Sequence, residues 1–144
     1  YINESVINDY YVYLHCNPLK PLNIYKNARH LFAASRLGLE YEPFYVGKGI
    51  NNRCYDINRN ETHKKLKEWI HKNKEEIVVI KVFENLTESQ ALAIESRLID
   101  IFGLIPKDGL LTNLDEGHNA NDRRKLYNAN ARKFLRKMKM MTHL

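Results

Sequence analysis

Residues 44–49 read Phe44-Tyr45-Val46-Gly47-Lys48-Gly49, and this stretch decides the fold prediction. Its aromatic and β-branched residues favour a strand, in which Tyr45 and Val46 point to opposite faces. The glycines that follow allow a tight turn and let the backbone approach a ligand closely. The chain then continues to Arg53. The stretch therefore predicts a strand that carries a phenol and a guanidinium to one end of a sheet.

Another strand is predicted upstream, at Tyr10-Tyr11-Val12-Tyr13-Leu14-His15. Its valine and leucine point to one face, whereas Tyr11, Tyr13 and His15 point to the other. Between the two strands, residues 23–34 have the pattern of a short amphipathic helix, which Gly38 is expected to end. We therefore expect a helical insertion between the first two strands, at about residues 17–42.

Residues 60–73 predict a helix that is strongly basic apart from a narrow apolar stripe formed by Leu66, Trp69 and Ile70. His63 lies on the same inward stripe, near the start of the helix. Residues 77–83 are almost continuously apolar and β-branched. This composition is expected of a central strand that is covered on both faces.

Thr87-Glu88-Ser89-Gln90 fits a capping box, which predicts a further helix that runs to Gly103. Residues 110–114 fit a short strand or an ordered loop, and a last amphipathic helix starts at about residue 120. The order of elements predicts an α/β (α+β) fold, with a mostly antiparallel three-stranded central sheet flanked by helices. We expect this domain at residues 1–119 and a basic C-terminal helix at residues 120–144.

Composition and charge restrict the function classes. The chain has 144 residues, of which 44% are hydrophobic and 28% are charged, as in one soluble domain. Residues 123–144 contain eight Lys or Arg and no acid, so the net charge of +6 lies there and suggests a polyanionic partner. No apolar run approaches the roughly 20 residues of a membrane span, and no signal peptide opens the chain. We expect an intracellular location, cytoplasmic or nuclear, and no membrane.

Glu95 is a carboxylate in the middle of an apolar helix face. Its neighbours one helical turn away are all apolar: Ala91, Leu92, Leu98 and Ile99. The polar Ser96 is expected on the far side of the helix. Because an unpaired charge that faces the core is costly, Glu95 requires a cation. That cation is either a basic side chain, such as Arg53 or a lysine, or a bound metal ion, and the pattern leaves both open.

Tyr13 and Tyr45 have the same parity on two short strands, so neighbouring strands would bring both phenols to one face. Tyrosines are also common on half-buried sheet faces, and either residue could be structural. Lys48 and Arg53 would project to the same end of the sheet, where they could contact phosphate.

The order of these residues resembles the GIY-YIG endonuclease superfamily. Tyr11-Val12-Tyr13 is similar to the GIY element, and Tyr45-Val46-Gly47 is similar to the YIG element. Arg53, Glu95 and Asn113 match, in order, the arginine, the metal-binding glutamate and the asparagine of the family.

Finer features resemble the LEM-3-like branch of that superfamily. They are Pro43–Gly49, Glu95-Ser96-Arg97-Leu98-Ile99, and Leu111-Thr112-Asn113 followed by Glu116-Gly117-His118. Two features depart from the family pattern. Tyr11 stands at the glycine position of GIY, a change expected to leave the chemistry untouched. Residues 14–44, between the tyrosine elements, are longer than in minimal members.

The resemblance implies a Mg²⁺-dependent DNA endonuclease, with Mn²⁺ as a substitute metal, that hydrolyses phosphodiester bonds by a one-metal mechanism. Glu95 would bind the metal, and Arg53 would hold a phosphate oxygen. A tyrosine would act as general base; we favour Tyr13, with Tyr45 orienting water or phosphate. His63 is either an assistant or an ordinary helix-end histidine. The predicted catalytic residues are Tyr13, Tyr45, Arg53, His63, Glu95 and Asn113.

The expected partner is double-stranded or branched DNA, and no oligomeric state is predicted. Basic side chains on the 60–73 helix and in the C-terminal segment would bind the phosphate backbone. The residues predicted to do so are Lys48, Lys64, Lys67, Arg123, Arg124, Arg132 and Lys133. Two alternatives remain: a catalytically silent nucleic-acid-binding domain of the same fold, and a module whose basic helix binds an acidic protein.

Overall fold

The computed structural model describes residues 8–22 and 28–114. Two 3₁₀ turns, Arg53–Tyr55 and Ile105–Lys107, follow the second strand and the third helix. The regular elements, in chain order, are β1 (Tyr10–Pro21), α1 (Ala28–Arg36), β2 (Tyr41–Gly49), α2 (Glu61–Lys72), β3 (Val78–Leu86) and α3 (Glu88–Phe102). This order confirms the predicted α+β fold, and α1 confirms a helix between the first two strands. β1 runs on to Pro21, so the connection is shorter than the predicted insertion at about residues 17–42.

The three strands form one antiparallel sheet in the order β2-β1-β3. β1 is therefore the central strand, and the prediction that residues 77–83 form a central strand is wrong. β3 is an edge strand whose two faces are both partly covered, because Val78 and Ile80 pack on one hydrophobic cluster and Val79 packs on the other. Cover on both faces explains its continuous apolar sequence without a central position.

The two faces of the sheet have different coverings. Val12 and Leu14 of β1 and Val46 of β2 face α1 and α3, and they belong to the main hydrophobic core. Tyr11 and Tyr13 face the opposite side, where Cys54 of the 3₁₀ turn and α2 cover them. The alternation that the sequence predicts for β1 is confirmed. α1 and α3 thus form one outer layer, and α2 with the 3₁₀ turn forms the other.

Helix α3 begins and ends as its sequence predicts. Thr87 accepts a hydrogen bond from the Gln90 backbone, the Gln90 side chain accepts one from Thr87 N, and Gly103 follows the helix with φ of 74°. Such a positive φ suits glycine, which has no Cβ to clash. Ser96 was expected on the solvent side but is buried, at 5% exposure. The buried stripe of α3 is therefore wider than its apolar residues indicate.

Helix α2 also begins as predicted, because the Asn60 side chain accepts a hydrogen bond from His63 N at 3.0 Å. His63 and Ile70 are fully buried against the sheet side. Trp69, which the sequence assigns to the same apolar stripe, is instead 55% exposed. Neighbouring helix positions lie about 100° apart, so the narrow face that holds Ile70 leaves Trp69 outside.

Residues 110–114 form an ordered loop against the outer edge of β2, where Thr112 N donates to Phe44 O at 2.7 Å. Both cysteines, Cys16 and Cys54, are free and buried. None of the helices within the described ranges is both long and apolar enough to cross a membrane. The predicted boundary at residue 119 and the predicted helix at residues 120–144 lie outside the described residues.

Candidate active site

The central strand brings the two predicted tyrosines together. Tyr13 pairs across the sheet with Gly47, and the next pair on the same face is His15 with Tyr45. Tyr13 and Tyr45 are thus diagonal neighbours on one face, and their ring centroids lie 6.3 Å apart. The register of two strands is enough to place both phenols side by side.

Gly47 makes room for the Tyr13 hydroxyl. A Cβ atom added at this glycine would overlap with the Cζ and hydroxyl oxygen of Tyr13. Any other residue would push the phenol out of its position or move β2 away from β1. The glycine after Tyr45-Val46 therefore has a steric reason that involves the other tyrosine.

Arg53 lies on a short turn that several groups hold in place. Gly49 lets the turn pass close, since a Cβ there would come within 2.8 Å of the Arg53 Cβ. The Tyr11 hydroxyl donates to Asn51 O at 2.8 Å and accepts a hydrogen bond from Cys54 N at 3.0 Å. Tyr11 therefore anchors both sides of this turn, a role that its position in place of the GIY glycine did not indicate.

The guanidinium of Arg53 is about half exposed, and its Nη1 donates to the Asp56 carboxylate at 2.8 Å. The side chain thus reaches solvent near the turn and does not point into the core. The alternative in which Arg53 neutralises Glu95 as a buried ion pair is disfavoured by this geometry. An exposed guanidinium held by a surface carboxylate is available to bind an anion.

Arg59 is a site residue that the sequence analysis missed. Its Nη2 donates to the Tyr13 hydroxyl and, at 3.0 Å, to Arg53 O. Its Cζ lies 5.0 Å from the centre of the Tyr45 ring and 5.6 Å from that of Tyr13. One guanidinium thus contacts both phenols and the turn that carries Arg53. Its Nε is buried and has no hydrogen-bond partner among the described residues.

Tyr13 is at the electrostatic centre of this group. It is 1% exposed, and burial raises the pKa of its phenol well above the ordinary value. The nearby charges of Arg59 and Arg53 act in the opposite direction and lower that pKa, whereas Tyr45 and Glu95 raise it. Arg53 and Glu95, which the sequence assigned to the catalytic group, therefore both act on the Tyr13 hydroxyl.

Glu95 reaches the same region from α3. It is half-buried, and its Oε2 accepts a hydrogen bond from Lys48 N at 2.9 Å. The ammonium of Lys48 turns away and pairs with Glu88 at 3.0 Å. The backbone amide that follows Gly47 thus orients the Glu95 carboxylate.

A magnesium ion at this site would depend on one carboxylate. No group of three or more His, Cys, Asp or Glu side chains converges within residues 8–22 and 28–114. Glu95 nevertheless fits Mg²⁺, because this ion keeps several waters and binds in nucleotide-processing sites through one or two carboxylates and substrate phosphates. The donor set is therefore suited to a weakly held Mg²⁺ and not to a closed metal cage.

An open cleft of about 390 Å³ lies beside these residues. Tyr45 forms one wall, and Arg53 and Arg59 supply two positive charges, whereas the buried Tyr13 does not line it. The remaining lining residues are Asn58, Asn60, Asn113 and Leu114. A cleft with two guanidinium groups and several amides has the chemistry of a phosphate-binding site.

Asn113 uses both ends of its side chain on the backbone of β2. Its Oδ1 accepts from Val46 N at 3.1 Å, and its Nδ2 donates to Val46 O at 2.8 Å. The Asn113 side chain thus makes the two hydrogen bonds that a neighbouring strand would make at the open edge of β2, next to Tyr45. This contact indicates that Asn113 positions the Tyr45 strand.

His63 and His15 form a buried pair beneath Tyr45. Since the Cys54 carbonyl can only accept, His15 Nε2 donates to it at 2.8 Å, and His15 Nδ1 accepts from His63 Nε2 at 2.9 Å. Burial lowers the pKa of His15 to about 4 and that of His63 to about 3. Both rings are therefore neutral near pH 7, and the pair links α2 to the carbonyl next to Arg53.

The residues predicted to contact nucleic acid differ in where they lie relative to the cleft. Lys64 is exposed on α2, and Lys67 reaches Asn58 at the cleft with an Nζ–Oδ1 distance of 3.3 Å. Lys48 contacts phosphate only if its pair with Glu88 opens. The other predicted contacts, Arg123, Arg124, Arg132 and Lys133, lie outside the described residues.

Comparison with known proteins decides the family. A family model described as the LEM-3-like GIY-YIG domain matches residues 42–139. The chain belongs to this LEM-3-like GIY-YIG family. No curated protein and no solved structure matches the chain. The family is one of nuclease-type domains that act on DNA, so its membership gives this LEM-3-like domain a nuclease-type function.

The family match includes Tyr45, Arg53, Glu95 and Asn113 but begins after Tyr13. Tyr13 lies before the matched residues, but the strand register places it directly opposite Gly47, which is matched. This LEM-3-like domain thus keeps the two-tyrosine arrangement that the sequence predicted.

Proposed function

We propose that this LEM-3-like domain is a Mg²⁺-dependent DNA endonuclease. The observation that carries the proposal is the cleft in which Tyr45, Arg53 and Arg59 converge beside Tyr13 and Glu95. Phosphodiester hydrolysis requires a base for water, positive charge at the phosphate and stabilisation of the leaving oxygen. Each of these requirements has a candidate group in or next to the cleft.

Tyr45 is the phenol better suited to act on water, because it lines the cleft whereas Tyr13 is buried. Burial also raises the pKa of Tyr13, so this phenol is harder to ionise to the phenolate that a general base must be. We therefore exchange the roles that the sequence suggested. Tyr45 acts as a phenolate that takes the proton from water, and Tyr13 holds the Arg59 guanidinium by accepting its hydrogen bond.

The two arginines divide the work on phosphate. The exposed guanidinium of Arg53 binds a non-bridging oxygen of the phosphate. It does so either after leaving Asp56 or while it keeps its hydrogen bond to Asp56. Arg59 lines the cleft, and its guanidinium is held in place by Tyr13 and by Arg53 O. A preorganised donor of this kind stabilises charge that develops in the transition state.

Glu95 would hold the Mg²⁺ ion, which neutralises phosphate charge when bound. The backbone N–H of Lys48 donates to one oxygen of this carboxylate and fixes its orientation. Asn113 keeps Tyr45 at its place in β2, while His63 and His15 support the turn before Arg59 through Cys54 O. These three residues are positioning residues in this scheme.

The test is cleavage of linear, supercoiled and branched DNA in Mg²⁺ or in EDTA. We expect wild type to cut only in Mg²⁺ and Glu95→Gln to lose cutting, since an amide is a poor Mg²⁺ ligand but still accepts from Lys48 N. Asp100→Asn is the matched control, because Asp100 is an exposed carboxylate on the same helix. It should cut as wild type does.

Equal cutting by wild type and Glu95→Gln, or cutting that EDTA does not change, contradicts the proposal. DNA binding without cutting in Mg²⁺ would identify the catalytically silent alternative. A chain that binds no DNA at all would favour the module that docks on an acidic protein.

A further inference from the structure

Trp69 is the single tryptophan of the chain, and it is left on the surface of α2. Its neighbour Ile70 fills the core side of the helix, whereas Trp69 is 55% exposed. A tryptophan has no special helix propensity, and fixing so large a ring at the surface brings the fold little. The exposed ring face is available to a ligand.

A second cleft, which we call the Trp69 cleft, lies beside this ring and has a volume of about 490 Å³. Apolar side chains and ammonium groups line it together. Those that bear on recognition are Trp69, Leu66, Ile105, Lys65, Lys20 and Glu42. Lys20 pairs with Glu42 at 3.5 Å, so these two charges offset one another. Among the described residues that line the cleft, Lys65 remains as the cation. An aromatic face beside a cation is the combination that binds single-stranded nucleic acid.

The Trp69 cleft is separate from the active-site cleft, and the two adjoin where α2 begins. Asn60 lines the active-site cleft, Thr112 lines the Trp69 cleft, and the Asn60 side chain donates to Thr112 O at 2.7 Å. Helix rise puts Trp69 about 14 Å from Asn60. That distance corresponds to about four nucleotide steps at the 3.4 Å spacing of a B-form strand.

We propose that the Trp69 cleft binds an unpaired nucleobase of the strand whose backbone occupies the active-site cleft. The identity of the ligand as nucleic acid rests on the proposed function, but the binding itself does not require cutting. In a duplex the two faces of each base are covered by its neighbours, whereas an unpaired base offers a face to an aromatic ring. This LEM-3-like domain therefore favours substrates with unpaired nucleotides a few steps from the cut.

The single tryptophan makes the proposal directly measurable. The full chain is titrated in EDTA with a 12-nucleotide oligo(dT), with a blunt duplex and with polyphosphate, while tryptophan emission is recorded. We expect saturable quenching by oligo(dT) and little change with the duplex or polyphosphate, because only stacking on an unpaired base reaches the ring. Iodide should quench the free protein and lose access when oligo(dT) is bound.

Labelled oligo(dT) and labelled duplex then give affinities by fluorescence anisotropy. Trp69→Ala should weaken oligo(dT) binding by about 5- to 150-fold and change duplex binding little. Trp69→Leu keeps an apolar side chain without a π face and should behave like the alanine variant. Lys72→Ala removes an exposed charge from the same helix and should weaken both ligands to a similar degree.

Four outcomes test the two proposals. Oligo(dT) binding that leaves tryptophan emission unchanged, or equal loss of oligo(dT) and duplex binding in Trp69→Ala, overturns the Trp69 proposal alone. Quenching by oligo(dT) in a protein that never cuts DNA supports it and overturns the nuclease proposal. A free protein whose tryptophan resists iodide has the ring covered by its own chain or by a second copy, which also overturns the Trp69 proposal.

Discussion

The two faces of the central sheet are both buried, but they are buried in different ways. On one face, Val12 and Leu14 pack against apolar side chains of α1 and α3. On the other face, the alternate residues Tyr13 and His15 pack against α2 and the Arg53 turn through hydrogen bonds. Residues next to each other in one strand thus serve opposite layers.

The difference between the faces indicates that one face mainly stabilises the fold and the other carries the candidate chemistry. Apolar packing is non-directional and roughly proportional to the area removed from water. The polar face instead depends on donors and acceptors at defined distances, such as Arg59 on Tyr13 and His15 on Cys54 O. Loss of packing should therefore lower stability, and loss of a polar contact should lower activity.

The largest expected effect is on the apolar face. Leu14 is fully buried in the central strand, so Leu14→Ala should lower the free energy of unfolding by about 2–5 kcal/mol. Urea unfolding followed by circular dichroism measures this change. Cutting by the folded fraction should stay near that of wild type, and a loss as large as that of an active-site variant would break the comparison.

Arg59 should give the reverse result on the polar face. Arg59→Met should lower the cutting rate by about 10²–10³-fold, or about 2.7–4 kcal/mol in the barrier, because a preorganised donor is lost. Arg59→Lys keeps the positive charge but loses the planar guanidinium with its several N–H donors, so it should recover only part of the rate. Rates under single-turnover conditions, measured beside urea unfolding, test this. A loss of stability that matches the Leu14→Ala variant would assign Arg59 to the fold alone.

The smallest effect near pH 6 is a pH dependence of stability from the buried histidines. The pKa of His15 is lowered from 6.5 to about 4 and that of His63 to about 3, so the folded protein favours the neutral rings. Their stabilisation is complete above pH 6.5. As the pH falls below 6.5, only the unfolded chain takes up protons, and stability drops by up to about 1.4 kcal/mol per pH unit for each histidine.

His63→Gln keeps a donor for His15 Nδ1 and removes one titrating group. The slope of unfolding free energy against pH between 6.5 and 4 should therefore be shallower than in wild type. Thr62→Gln is the matched control, since Thr62 is exposed on the same helix and does not titrate, so the slope should be unchanged. Identical slopes in all three proteins would mean that the pair is not held neutral.

Several elements follow from local sequence, because they depend on neighbours along the chain. The capping box at Thr87, the helix end at Gly103 and the opposite faces of Tyr13 and Leu14 were all predicted. Glu95 was identified from its apolar surroundings one turn away, and it does approach the Tyr13 phenol closely enough to shift its pKa. Periodicity carries this information because helices and strands repeat regularly.

Other features could not be predicted in this way. Arg59 lies in the irregular segment between the 3₁₀ turn and α2, where no periodicity indicates which side chain turns inward. Trp69 was assigned to the core because an apolar stripe does not say which of two adjacent apolar residues faces it. β3 was given a central position because a continuous apolar run reports cover on both faces and not the order of strands.

The sequence by itself determined the family, the elements and the faces on which the two tyrosines lie, since these depend on local pattern and ordered spacing. Only the tertiary structure decided which groups meet. It joined Arg59 to Tyr13, fixed Glu95 on the Lys48 amide and left Trp69 outside the core. These contacts link residues far apart in the chain, and their geometry depends on how the layers pack, which no local pattern encodes.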